Sequence, residues 1–110
     1  PCSGSGVIRR HPDIKHLRRE QDIDALVRQQ QTLLEALWPL LASGGMLLYA
    51  TCSIFPAEND QQITRFLQHH DDAREQALPG TWGRPRPAGR QILPGEDDMD
   101  GFFYARLVKD

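Results

Sequence analysis

The sequence predicts an α/β fold, the carboxy-terminal portion of a sheet whose first strands lie outside the chain. Three stretches predict it. "DIDALVRQQQTLLEALWPLLASGG" places Ile23, Leu26, Val27, Leu33, Leu34, Leu37, Trp38 and Leu41 at the spacing of an amphipathic helix, with Gln30 as the one polar intruder. "MLLYAT" follows at once and is almost wholly apolar, as a strand buried on both faces would be. "GFFYARLVK" alternates, with Phe103, Ala105 and Leu107 on one face and Phe102, Tyr104, Arg106 and Val108 on the other. A long helix, a two-glycine turn and an apolar strand make the second half of a βαβ unit. Its first strand would lie before or at Pro1.

Taken in order, "PCSGSG" is a glycine- and serine-rich loop. Pro12 breaks any helix beyond it, leaving short helical turns around Ile8 and across Ile14 to Leu17. At the start of the long helix, Asp22 or Asp24 can accept from the orphan amides. Pro39 should kink or shorten that helix, and Gly44 suits a left-handed stop. "FPAENDQQITRFLQHHDD" reads as a second helix, with Pro56 at its first position and Glu58 in its first turn. Ile63, Phe66 and Leu67 form its buried stripe, and His69 and His70 suit its negative pole. "AREQAL" is a short edge strand. From Pro79 to Gly101 come four prolines and five glycines, the mark of a long irregular loop. That loop carries a basic spot, "RPRPAGR", and an acidic one, "EDDMDG".

At 110 residues the chain is one small domain or part of one. A content of 39% hydrophobic and 25% charged residues describes a soluble globular chain. No apolar run approaches the roughly 20 residues that span a bilayer. Two cysteines without a secretory signal point to a reducing cytoplasm and free thiols. Opening inside a Cys-Ser-Gly loop, with no initiator methionine, the chain reads as a fragment.

The net charge of −2 is unevenly placed. Arg9, Arg10, Lys15, Arg18 and Arg19 accompany a single acid, Asp13, while the rest of the chain holds 8 basic and 14 acidic residues. A phosphate backbone feels a local patch within a screening length of about 10 Å, not the total charge. The run is a nucleic-acid contact or an ordinary solvated face.

In a doubly wound sheet, chemistry collects beyond the carboxyl ends of the strands. Cys52 lies just past "MLLYA", and Cys2 heads the loop where the preceding strand would end. The two thiols would then face one crevice, flanked by Ser3, Thr51 and Ser53. Free cysteines are also common packing residues, so core filler and functional pair both stand at this point. Two thiols make no structural zinc site, and His69–His70 lacks ligand spacing, so no metal is expected. "SGSG" lacks the ending of a phosphate-cradling loop; its glycines let the backbone pass close to a substrate or a neighbouring helix. "EDDMDG" lacks the twelve-residue calcium pattern. Phe102, Phe103 and Tyr104 read as core, with one ring at the strand start available to the crevice.

"PCSGSGVIRRHPDIKHLRR", "LWPLLASGGMLLYATCS", "PAEND" and "LPGEDDMDGFFYARL" together resemble the carboxy-terminal part of the bacterial 16S ribosomal RNA cytosine-5 methyltransferases. The resemblance covers nearly the whole chain. It implies a Rossmann-like class I fold dependent on S-adenosyl-L-methionine, with 16S ribosomal RNA as partner. It also implies that Cys52, in "TCS", is the nucleophile and that Cys2, in "PC", assists product release. A thiolate adding to carbon 6 of cytosine makes carbon 5 nucleophilic, which requires a reachable Cys52 of low pKa. The base must leave its stack to reach the thiol. The family's glycine-rich cofactor motif, the acid before its "PC" motif and its amino-terminal RNA-binding domain lie outside residues 1–110. No cofactor-binding residue is therefore assigned, and the isolated piece is expected neither to bind cofactor well nor to turn over.

Two other readings stand beside this one. The chain could be a non-catalytic RNA-binding module using the Arg9–Arg19 run, or a thiol hydrolase with His11 as base. An exposed sheet edge where the missing strands belong would favour self-association.

Overall fold

The structure, a computed structural model, describes residues 1–7, 20–96 and 99–110. The basic run from Arg9 to Arg19, His11 and the helical turns expected around Ile8 and Ile14 lie outside the described residues, as do Asp97 and Asp98. A 3-10 turn at Ser5–Val7 precedes α1 (Glu20–Leu37), which tightens into a second 3-10 turn at Trp38–Leu40. Next come β1 (Met46–Thr51), a 3-10 turn at Pro56–Glu58, and α2 (Asp60–His69). Four strands complete the chain: β2 (Ala73–Gln76), β3 (Arg84–Pro85), β4 (Arg90–Ile92) and β5 (Phe102–Lys109).

β5 is the hub of the sheet. Along one edge it pairs antiparallel with β1, from Met46↔Val108 to Thr51↔Phe103. Its other edge is shared, with β4 beside its first half and β2 beside its second. β1 and β2 both oppose β5 and so run parallel to one another, with α2 as the crossover between them. The alternation in "GFFYARLVK" decides which face is covered. Phe103, Ala105 and Leu107 are fully buried and join Leu34, Trp38, Ile63 and Phe66 in the core. Trp38 meets Phe66 edge to face at 5.3 Å, and Phe66 stacks on His70 at 4.1 Å.

Pro39 ends α1 as its ring demands, converting the helix into a tight turn. Gly44 takes the left-handed conformation (φ +82°) that lets the chain reverse into β1. Its amide donates to the Lys109 carbonyl at 2.6 Å, which pins the turn to the end of β5.

Four expectations need correction. The helix starts at Glu20, so Asp22 and Asp24 lie inside its first turns rather than before them. β1 is buried on one face only: Met46 and Leu48 are 55% and 59% exposed, because β5 is its one strand neighbour among the described residues. The stripe of α1 is likewise wider than the core, and Leu33 and Leu37 flank an apolar cavity of about 200 Å³ against β1. The segment from Pro79 to Gly101 contains the β3–β4 hairpin, paired at Arg84↔Gln91 and Pro85↔Arg90. Its proline sits in the outermost strand, where a missing donor is tolerated, and this is why composition alone read as loop.

Phe66 is fully buried between α1 and the sheet. Phe66→Ala should therefore cost about 3–5 kcal/mol, read by urea unfolding of the protein that contains this chain.

Candidate active site

The apolar run of β1 ends at Thr51, and the backbone turns there so that Cys52 surfaces. Thr51 Oγ1 donates to Asn59 Oδ1 at 2.5 Å and accepts from the Ser53 amide at 3.2 Å, which fixes that turn. Cys2 approaches from the amino-terminal loop. The two sulfurs stand 2.9 Å apart, a thiol–thiol hydrogen bond between half-buried, unoxidised cysteines. The expected convergence of Cys2 and Cys52 is thus what the fold delivers.

Gly6 is why the loop can lie so close. Its amide donates to the Cys52 carbonyl at 2.8 Å, and its carbonyl accepts from Gly101 at 2.7 Å. A Cβ on Gly6 would fall 2.1 Å from the Gly101 oxygen and 2.7 Å from that of Cys52. Only glycine permits the stitch. Of the two glycines in "SGSG", Gly6 lets the chain pass close to the protein's own backbone at Cys52 and Gly101.

Glu58 stands in the first turn at Pro56–Glu58, as the sequence predicts, and the fold adds what the sequence did not show: the side chain is fully buried beneath the two cysteine loops. Its carboxylate accepts from the Ser3 amide (2.8 Å), Ser3 Oγ (2.7 Å), Ser53 Oγ and Gln30 Nε2 (3.1 Å). Gln30, the polar intruder of the helix stripe, also donates to the Pro1 carbonyl at 2.9 Å. Tyr49 donates to the Glu58 carbonyl at 2.6 Å. Asn59 donates to the Ser53 carbonyl and to Gln91 Oε1, both at 2.8 Å, tying the loop to β4. The available signals were Gln30 interrupting an apolar stripe and a serine directly after each cysteine.

Above the sulfurs lies a crevice of about 270 Å³ lined by Pro1, Cys2, Ala50, Thr51, Cys52, Phe102 and Tyr104. Phe102 and Tyr104 stack at 6.1 Å, so two rings face the crevice and Phe103 alone of the three is core. The electrostatics depart from expectation as well. Burial pushes the Cys52 thiol up to about 11, helped by its hydrogen bond to Cys2 and by the electrostatic influence of Cys2 and of the Glu58 carboxylate. The low pKa that the resemblance implies for Cys52 is thus not what its described surroundings produce, since they include a carboxylate. Burial, Glu58 and Cys2 also raise Tyr49 well above the ordinary tyrosine value.

Among the described residues, no group of three or more His, Cys, Asp or Glu is placed to hold a metal ion. None of the described helices is long and apolar enough to cross a membrane.

An acid whose pKa is raised stays protonated to higher pH, so its thiolate fraction keeps growing with pH. Alkylation of Cys52 by iodoacetamide, followed by peptide mass spectrometry, should rise about tenfold per pH unit and level off only near 11. A plateau already reached by pH 8 would contradict this.

Residues 1–108 match the family described as 16S rRNA methyltransferase RsmB/F. The ribosomal RNA small subunit methyltransferase B of Serratia proteamaculans is 58% identical over 109 residues, 99% of this chain and 24% of that protein. The crystal structure of PH0851 superposes with a TM-score of 0.93 at 36% identity, covering 99% of this chain and 25% of that one. The structure of NSun6 from Pyrococcus horikoshii with SFG gives a TM-score of 0.85 at 26% identity, over 99% and 28%. The chain spans about a quarter of the length of the curated relatives it matches. Its mixed α/β architecture is the carboxy-terminal portion of a Rossmann-like class I methyltransferase fold. With a match that takes in both cysteine loops and the closing strand, this chain belongs to the 16S rRNA methyltransferase RsmB/F family.

Proposed function

We propose that residues 1–110 are the carboxy-terminal part of the catalytic domain of an enzyme that methylates carbon 5 of a cytosine in 16S ribosomal RNA. The reaction runs through a covalent cysteine–cytosine adduct. The observation that carries this reading is the pair of sulfurs, 2.9 Å apart, at a crevice walled by two aromatic rings. Family membership and the relatives' names support ribosomal RNA as the substrate class.

Cys52 Sγ is the nucleophile. Its addition to carbon 6 of the extruded base moves electron density onto carbon 5, which takes the methyl group. The carbon 5 proton then leaves to a base, the electron pair re-forms the ring double bond, and Cys52 departs as the thiolate. Cys2 Sγ, in contact with Cys52, assists that release. Phe102 and Tyr104 offer ring faces against which a pyrimidine can pack. Burial favours the protonated form of Cys52 in the empty crevice, so the thiol must lose its proton to a base before it can add to the ring.

S-adenosyl-L-methionine supplies the methyl group in this reading, and SFG in the NSun6 structure is an analogue of it. Neither cavity beside β1 near the thiols is lined by a carboxylate that could hold ribose hydroxyls or a sulfonium charge. The described residues around these two cavities therefore do not form a cofactor cradle by themselves, and in this reading the parent protein would hold the cofactor largely with residues outside 1–110. Arg9, Arg10, Lys15, Arg18 and Arg19 are the chain's candidates for meeting the RNA backbone. A ribosomal RNA substrate implies a cytoplasmic protein.

In the full-length protein, Cys52→Ala should lower methyl transfer at least about a thousandfold. Cys2→Ala should accumulate a protein–RNA adduct that survives denaturation, and the double variant should form none. Methylation unchanged by Cys52→Ala would overturn the reading and favour a non-catalytic RNA-binding module.

A further inference from the structure

The same dipeptide, Cys-Ser, occurs in both cysteine loops, and each serine turns inward to one buried acid. We propose that Glu58 is a positioning residue whose carboxylate clamps the two Cys-Ser loops together and so sets the separation of the two sulfurs. The proposal rests on the reading above for its catalytic consequence, but not for its geometry.

Two physical facts carry it. A carboxylate taken out of water is costly unless hydrogen bonds replace its hydration, and Glu58 is fully buried. Among the described residues its carboxylate meets donors from Ser3, Ser53 and Gln30, and none of these is a cation. Pulling either loop away would strip donors from a buried charge, so the carboxylate resists separation more strongly than a neutral contact would. Each clamped serine is covalently next to its cysteine, so loop displacement passes directly to sulfur.

Glu58 also has no place among the atoms that react. It reaches the serines and Gln30 rather than either sulfur, which distinguishes positioning from proton transfer. The carboxylate further opposes a thiolate at Cys52, so the clamp brings the thiols together without itself activating Cys52.

The test compares wild type and Glu58→Gln in the full-length protein. The glutamine keeps the shape, removes the charge, and turns an NH₂ donor toward groups that are themselves donors. Diamide, a diazene oxidant, drives Cys2–Cys52 pairing without RNA or cofactor. One thiolate adds to its N=N bond, and the second thiol displaces the adduct. The products are a disulfide and the hydrazine, which has gained two electrons and two protons. Glu58→Gln is expected to slow this pairing about tenfold or more, relative to alkylation of each thiol alone, since small misplacements cost large factors in rate. In methyl transfer, kcat should fall while KM for RNA holds.

Pairing within about twofold of wild type in folded Glu58→Gln would overturn the proposal. If that variant fails to fold, Ser53→Ala decides in its place: slowed pairing supports the clamp and unchanged pairing overturns it. Because pairing needs no RNA, slowed pairing in a protein that never methylates RNA would leave the clamp standing and remove the proposed reaction.

Discussion

A charge removed from water has to be met by donors, and in this chain that requirement falls on Glu58. The acid sits in the turn before α2 and collects hydrogen bonds from the amino-terminal loop, the loop after β1 and the middle of α1. Segments up to 55 residues apart in sequence are brought to one point by one side chain. The penalty for an unsatisfied buried carboxylate exceeds the gain of an ordinary hydrogen bond, so this junction is defined more sharply than apolar packing alone would make it. Everything that faces the crevice is referenced to it.

The sheet supplies the rigid frame around that junction. With β5 between β1 and β2, the three strands present one continuous face to α1 and α2, and Phe103, Ala105 and Leu107 lock the layers. The opposite face of β5 carries Phe102 and Tyr104 to the crevice, so one alternating strand serves core and site with its two sides. Gly6 and Gly101 complete the frame by letting three backbone segments touch where any side chain would collide.

The site is quieter than its chemistry first suggests. A nucleophilic cysteine is usually pictured with a cation beside it, whereas Cys52 has Cys2, a buried carboxylate and a raised pKa. Such a thiol carries little thiolate near neutral pH. In the proposed reaction it would add to the ring only after losing its proton to a base, a division between holding and activating that suits an enzyme forming a covalent link to its RNA.

Much of this was legible in the residues themselves. The spacing in α1, the apolar run of β1 and the alternation of β5 specify local structure because they are local patterns, and the placement of Cys52 just past the end of β1 follows from that layout. What the linear pattern could not carry is anything that depends on which distant segments meet. Glu58 in "PAEND" has the signature of any helix-start acid, and only the meeting of two serine-bearing loops makes it the buried partner of both. The β3–β4 hairpin was hidden for the same reason, since β4 is anchored on the distant β5 and the proline-rich composition of the segment does not show that contact. The raised pKa of Cys52 likewise belongs to the assembled crevice. Propensity and periodicity act between neighbours along the chain, whereas burial and charge act between neighbours in space, and only folding decides who those are.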